Sequence, residues 1–245
     1  TTSYYVAAET FVPYSQSVGL GANTSTSYES PFYHLWGGLK SQYLIRASEL
    51  QAAGINQGPI TSLGFEVVNV GVTYNDFNFS IGTTNSNALT TTFEGGLTNV
   101  YSNAAYTLNA GTNTITFNTP FLWDGVSNIV VEFCWSNNNT GGTSATVKYD
   151  NTSFVSQAYY RADNQPSSTL CATATATSTQ SKRPMFILNG QTLCTSPRVQ
   201  VTATVTTSTP ITISNDTSIC NNGVATLEVI NGTTSYDQFT WTPET

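Results

Sequence analysis

Few groups in this chain are equipped for chemistry. His34 is the only histidine, and it sits in an aromatic-dense segment, Tyr28-Glu-Ser-Pro-Phe-Tyr-His-Leu-Trp36. A hydrolase would need a nucleophile and an orienting acid around that base. No G-x-S-x-G nucleophile elbow occurs, so the plainer reading is a structural histidine. The acids Glu66, Asp76, Glu94, Asp124, Glu132, Asp150 and Asp163 are scattered. Glycosidase chemistry needs two carboxyl groups at a defined separation, and chain spacing does not supply one. Glu132 lies among apolar neighbours, and strand alternation puts it on the face opposite Val131 and Phe133. Facing solvent is its plainer reading. Half-burial without a cationic partner would raise its pKa.

The aromatic residues offer binding rather than catalysis. Tyr33 and Trp36 in the Tyr28–Trp36 stretch, and Tyr160 of the pair Tyr159-Tyr160, are candidates to stack on sugar rings. Arg161 and Asp163 follow at once and would supply a polar rim. Adjacent strand residues point to opposite faces, so one of the two tyrosines is core and the other exposed unless both faces are covered. The competing reading is plain core packing, since large aromatics dominate cores. Asp124, in Trp123-Asp124-Gly125, is a weak candidate for Ca²⁺ ligation with backbone oxygens. Asp-Gly is also a strong turn signal that needs no metal. No EF-hand loop or Gly-Asp calcium repeat occurs, and the Asn137–Gly142 loop lacks a phosphate-loop lysine. No cofactor is expected beyond that possible Ca²⁺.

There are four cysteines, Cys134, Cys171, Cys194 and Cys220, with no C-x-x-C pair among them. One histidine cannot complete a Cys/His zinc set. Disulfides are expected, in an oxidising compartment. Four cysteines allow three pairings. Cys134–Cys171 is favoured: Cys134 closes a strong strand and Cys171 lies in the polar stretch after the next strands.

The elements that must position these residues read as β. Only 9% of the 245 residues are charged, against roughly 25% in ordinary soluble domains. Over a third are Thr, Ser or Asn, and 12% are aromatic. Thr, Val, Tyr and Phe suit pleated faces. Strands are predicted at 60–70, 77–81, 114–117, 127–135, 145–149, 154–160, 184–188 and 198–206, with turn clusters between them. One short helix is predicted, with Ser48 as its cap, Gln51 bonding back and Gly54 as a left-handed stop. The fold class is therefore all-β: a jelly-roll-like sandwich over 1–207, then the start of an Ig-like sandwich over 208–245 with Trp241 in its core. About 35 residues are too few for the roughly 100 such a domain needs, so the chain is expected to continue past Thr245. Thr1 opens directly on Tyr4-Tyr5-Val6 without an initiator Met. That opening is read as a mature N-terminus after signal removal, or as a fragment boundary.

Charge and hydropathy exclude other classes. Seven Lys and Arg in a chain of net charge −7 give no footprint for nucleic acid. No apolar run approaches the roughly 18 residues of a membrane helix, so no membrane insertion is expected.

Four stretches carry a resemblance. They are SQYLIRASELQAAGINQGPITSLGF (41–65), PFLWDGVSNIVVEFC (120–134), SKRP (181–184) and SPRVQVTATV (196–205). They resemble the N-terminal β-sandwich region of large secreted surface proteins of Bacteroidota. The tail, TSICNNGVATLEV followed by FTWTP, looks like the Ig/PKD-like repeats that follow there. The resemblance implies export across the outer membrane by type IX secretion, a cell-surface address, and adhesion, in some members tied to gliding motility. The sorting domain of such proteins is not in this sequence. The expected function is a non-catalytic surface adhesin module binding glycans, partner proteins of the surface or secretion machinery, or a substratum. The alternatives are a structural subunit or tip of a surface filament, acting by edge-strand addition, and an appendage of a polysaccharide hydrolase.

Overall fold

Alternating apolar and polar residues build three antiparallel sheets among the described residues, two of them large. The computed structural model describes residues 2–6 and 9–203, together with 212, 214, 226 and 228. One sheet runs β13 (Lys182–Pro184), β10 (Thr146–Asn151), β5 (Gly58–Asn69), β14 (Phe186–Thr195), β2 (Glu9–Val18). In it β3 (Asn23–Thr24) pairs with β10 and β8 (Gly111–Trp123) pairs with β5. The other large sheet runs β12 (Ser178–Gln180), β11 (Gln157–Ala162), β4 (Gly38–Ile45), β9 (Asn128–Ser136), β6 (Tyr74–Thr84), β7 (Thr98–Tyr106). The fold is all-β, a jelly-roll-like sandwich.

The inner faces make one core. Leu39, Tyr43, Phe77, Phe79, Val131, Phe133 and Trp135 come from one sheet, and Leu63, Phe65, Ile115, Phe186 and Leu188 from the other. Phe133 stands edge-on to Phe65 at 6.0 Å and stacks with Phe186 at 6.0 Å. Each such side chain, fully buried, contributes about 1.5–3 kcal/mol through water exclusion.

The strand expected at 127–135 is β9, central in its sheet and ending at buried Ser136. Strand β4 was not predicted, and its physical reason is clear. It reads Gly-Leu-Lys-Ser-Gln-Tyr-Leu-Ile, and every residue is buried, polar ones included. Lys40, Gln42 and Leu44 face away from the core under a second apolar cluster of Leu44, Leu89, Phe93, Val130, Ala158 and Ala176. The outer layer hides one face and the main core the other, so no polar–apolar alternation survives.

The helix α1 (Ala47–Ala52) starts two residues earlier than a Ser48 cap would allow. Arg46 is its cap residue, and Glu49 Oε2 accepts the Arg46 N–H at 2.9 Å. Glu49 itself is fixed by a bidentate pair with Arg183, at 2.8 Å for each nitrogen. The end is as expected: Gly54 has φ +82°, its N–H donates to Gln51 O, and the Ile55 N–H donates to Leu50 O. This is the double bond of a Schellman stop, with Leu50 and Ile55 both buried beside it.

Contacts group the chain into two units, and the expected 207/208 boundary lies outside the described residues. One unit is Ala8–Ser196, the sandwich. The other joins Thr1–Ala7 to Pro197–Thr245. The expected strand at 198–206 is β15 (Val199–Ala203), and it pairs with β1 (Thr2–Val6) in this second unit rather than closing the sandwich. The Ser214 N–H there donates to Glu228 O at 2.9 Å. The remainder of the expected Ig-like segment, Trp241 and Cys220 included, lies outside the described residues.

Candidate functional site

The segment from Ser25 to Gly37 crosses from β3 to β4 and is tied down at almost every step. Ser25 N–H reaches Val147 O, and Ser30 Oγ reaches Ala145 O at 2.8 Å. Gln157 Nε2 donates to Tyr28 O at 2.6 Å, Trp135 Nε1 to Pro31 O at 2.8 Å and Tyr74 OH to Phe32 O at 2.9 Å. Glu29 is buried, with its Oε1 2.5 Å from Lys182 Nζ. Burial would raise that carboxyl, but the Lys182 hydrogen bond and charge hold it below its usual value. The aromatic stretch therefore splits in two. Phe32 is wholly buried against Phe65, Tyr74, Phe77, Tyr106 and Phe133. Tyr28, Tyr33 and Trp36 stay half-exposed at the rim.

At that rim the segment meets β11. Tyr28 stacks on Tyr159 with centroids 4.2 Å apart and planes 9° from parallel. Tyr33 stands edge-on to Tyr28 at 4.9 Å. Trp36 Nε1 donates to Tyr28 OH at 2.9 Å. Arg161 lays its guanidinium 4.1 Å from the Trp36 ring centre and 5.5 Å from that of Tyr28. Asp163 Oδ1 accepts the Gly37 N–H at 2.8 Å and so pins the end of the segment. Of the predicted residues, Tyr33, Trp36 and Arg161 come together, and Asp163 braces them.

Tyr160 does not join them. It points to the other face, packs on the outer apolar cluster and reaches Gln165 Oε1 at 3.3 Å. Both faces of β11 are covered, so neither tyrosine is simply exposed. The partner at the rim is Tyr159, the neighbour that alternation leaves on the opposite side.

The remaining candidates are engaged inside the fold. His34 is buried, with Nε2 3.2 Å from Asn139 Oδ1 and its ring edge-on to Trp135 at 5.1 Å. Desolvation lowers its pKa, against the hydrogen bond to Asn139 Oδ1 and the Asp163 charge. Glu132 does not face solvent. It accepts from Gln42 Nε2 at 2.8 Å and lies 3.4 Å from Lys40 Nζ, beneath the outer layer. Asp124 anchors its own turn, accepting from Val126 N, Ser127 N and Ser127 Oγ at 2.9, 2.8 and 2.5 Å. The Ser127 bonds lower its pKa. No group of three or more His, Cys, Asp or Glu able to hold a metal occurs among the described residues.

Glu49 and Asp150 line a cavity of about 310 Å³ beside Arg183. Burial would raise Glu49, but Arg183 keeps it below its ordinary pKa. Asp150 accepts the N–H groups of Leu20, Gly21 and Ala22 at 2.8–3.0 Å. Both acids are committed to internal partners. A second cavity, about 350 Å³, is lined by Asp76, Asn78, Ser102, Asn103 and Ser167. Sequence reading missed it. Its signal was slight, an Asn75-Asp76 pair in which Asp76 adopts φ +50°. Cys134 and Cys171 form a disulfide, as expected. Cys194 is exposed and free.

No protein-family model matches the chain. No curated protein matches it. Among solved structures it is similar to the cysteine protease and lectin-like domains of Cwp84, a surface layer associated protein of Clostridium difficile. Identity is 8%, the TM-score is 0.36, and the match covers 63% of this chain and 32% of that one. The match thus takes in about a third of that chain.

Proposed function

We propose that this chain is a non-catalytic, extracellular surface module whose aromatic rim binds glycans. One observation carries the reading: Tyr28, Tyr33, Trp36, Tyr159 and Arg161 gather at one half-exposed rim on a segment held by a dense set of hydrogen bonds. Aromatic side chains offer flat apolar area, and a fixed platform loses little entropy on binding. A hydroxyl- and amide-rich surface suits neutral sugars. The disulfide fits an oxidising compartment. The finer address, on a type IX-secreted adhesin of Bacteroidota with a link to gliding, rests on the four sequence stretches alone.

The test is a glycan screen with the whole chain, followed by Trp36→Ala. Trp36→Ala should weaken a bound glycan about tenfold or more, the size expected of a central aromatic contact, while the melting temperature stays close to that of the parent. Full binding by the variant would remove the rim from the reading. A second reading, a filament subunit, draws on strand β2, which ends its sheet with Phe11 53% and Val12 48% exposed. Concentration-dependent self-association in sedimentation, unaffected by Trp36→Ala, would favour it.

A further inference from the structure

Arg161 stands apart from the other basic side chains of the sandwich. Lys40 has Glu132 and two carbonyl oxygens, Arg46 has Asn87 O, and Lys148 has Thr24 Oγ1. Lys182 has Glu29, and Arg183 has Glu49 and Leu44 O. Arg161 alone in the sandwich has no ion pair and no hydrogen-bond acceptor among the described residues, and its Nε is buried without a partner. The nearest acid along the chain, Asp163, gives an oxygen to the Gly37 backbone.

Rings hold this guanidinium in place. Cation–π attraction to Trp36 and Tyr28 fixes it from one side. No hydrogen-bond acceptor among the described residues takes its N–H donors. Arg161 stays part-exposed, and its Nε is buried without a partner. A planar, always-charged guanidinium matches a carboxylate in two-point geometry. The chain as a whole carries −7, so an anion would be drawn here by this local charge and not by the general field.

Resting on the glycan reading above, we propose that Arg161 selects sugars bearing a carboxylate, the uronic acid class. The guanidinium takes the carboxylate and the Trp36–Tyr33 rim takes the apolar side of the ring. The binding is non-covalent and reversible.

The test uses the whole chain and a panel of uronate oligosaccharides: galacturonate, glucuronate and mannuronate. Each is paired with its methyl ester, which keeps the ring and removes the charge, and a sulfated galactan is added. Calorimetry should show the free acid of at least one binding about tenfold more tightly than its ester. Raised salt should shrink that gap. Arg161→Gln should abolish it, and Arg161→Lys should restore it only in part. Equal binding of acid and ester across the panel overturns the proposal, as does a preference that survives Arg161→Gln. Tighter binding of the sulfated galactan overturns the carboxylate assignment. If esters bind, Trp36→Ala abolishes that binding and no acid is preferred, the glycan reading stands and only this proposal falls. If no saccharide binds in either form, both fall. Salt dependence of the parent protein keeps the test decisive should Arg161→Gln fail to fold.

Discussion

Tyr159 and Tyr160 are neighbours in sequence, yet one faces the rim and the other the outer cluster. Alternation made that division legible. Which tyrosine belonged to the site was not, because the outer layer around Tyr160 includes Leu89, Phe93 and Leu97, far earlier in the chain. Glu132 was misjudged for the same reason: Lys40, its partner, sits in a strand whose pattern carried no signal. Tyr33, Trp36 and Arg161 were legible as chemistry because aromatics and a basic residue lay in two short stretches. His34 gives a titration test. Burial holds its pKa below the ordinary value, so the unfolded chain binds more protons than the folded one as pH falls. The neutral ring's contribution is intact above the ordinary value of about 6.5 and is lost as pH falls through it toward the depressed folded value. Between pH 7 and 5 the denaturation midpoint of the parent should drop more steeply than that of His34→Gln. Parallel profiles would show that His34 does not control this window.

Among the elements, the outer layer over β4 and β9 depends on a cross-link. The helix α2 (Ser167–Leu170) ends at Cys171, which is bonded to Cys134 in β9. Beyond it, Lys40 Nζ donates to Cys171 O and Thr173 O, and also stands over the Phe93 ring at 4.6 Å. The disulfide thus fastens a segment that shields an ion pair. The Cys134→Ser/Cys171→Ser double variant should lose about 2–4 kcal/mol in urea unfolding, the usual range for a structural disulfide. A loss below about 1 kcal/mol would show that Lys40 and the apolar contacts hold the layer unaided. The pairing was foreseen from position in the chain. The layer itself was not, since residues 163–177 read as polar loop and show their role only where they cross the sheet. The α1 stop was legible because Gly54 has a local cause; the α1 start was not, because Glu49 is oriented by Arg183, 134 positions away.

For the whole molecule, the sheet-forming composition predicted the class, while the division into units depended on which distant segments pair. Nothing local in Thr2–Val6 announces Val199–Ala203 as its partner. The unit Ala8–Ser196 has its own two-sheet core. Expressed alone, it should unfold in one cooperative step, with the same near-ultraviolet aromatic signal as the same residues in the full chain. Loss of that signal would mean that the sandwich needs the second unit to fold. The engagement of the basic side chains has an outcome for survival outside a cell. A trypsin-like protease must draw an extended lysine or arginine into its cleft. Lys40 and Arg183 are buried, Arg183 precedes a proline, and Lys148, Arg161 and Lys182 are part-buried within strands. Arg46 is part-buried with its guanidinium on Asn87 O. Arg198 is exposed and lies between β14 and β15. Digestion of the native protein should therefore cut first after Arg198, releasing the sandwich as a long-lived fragment.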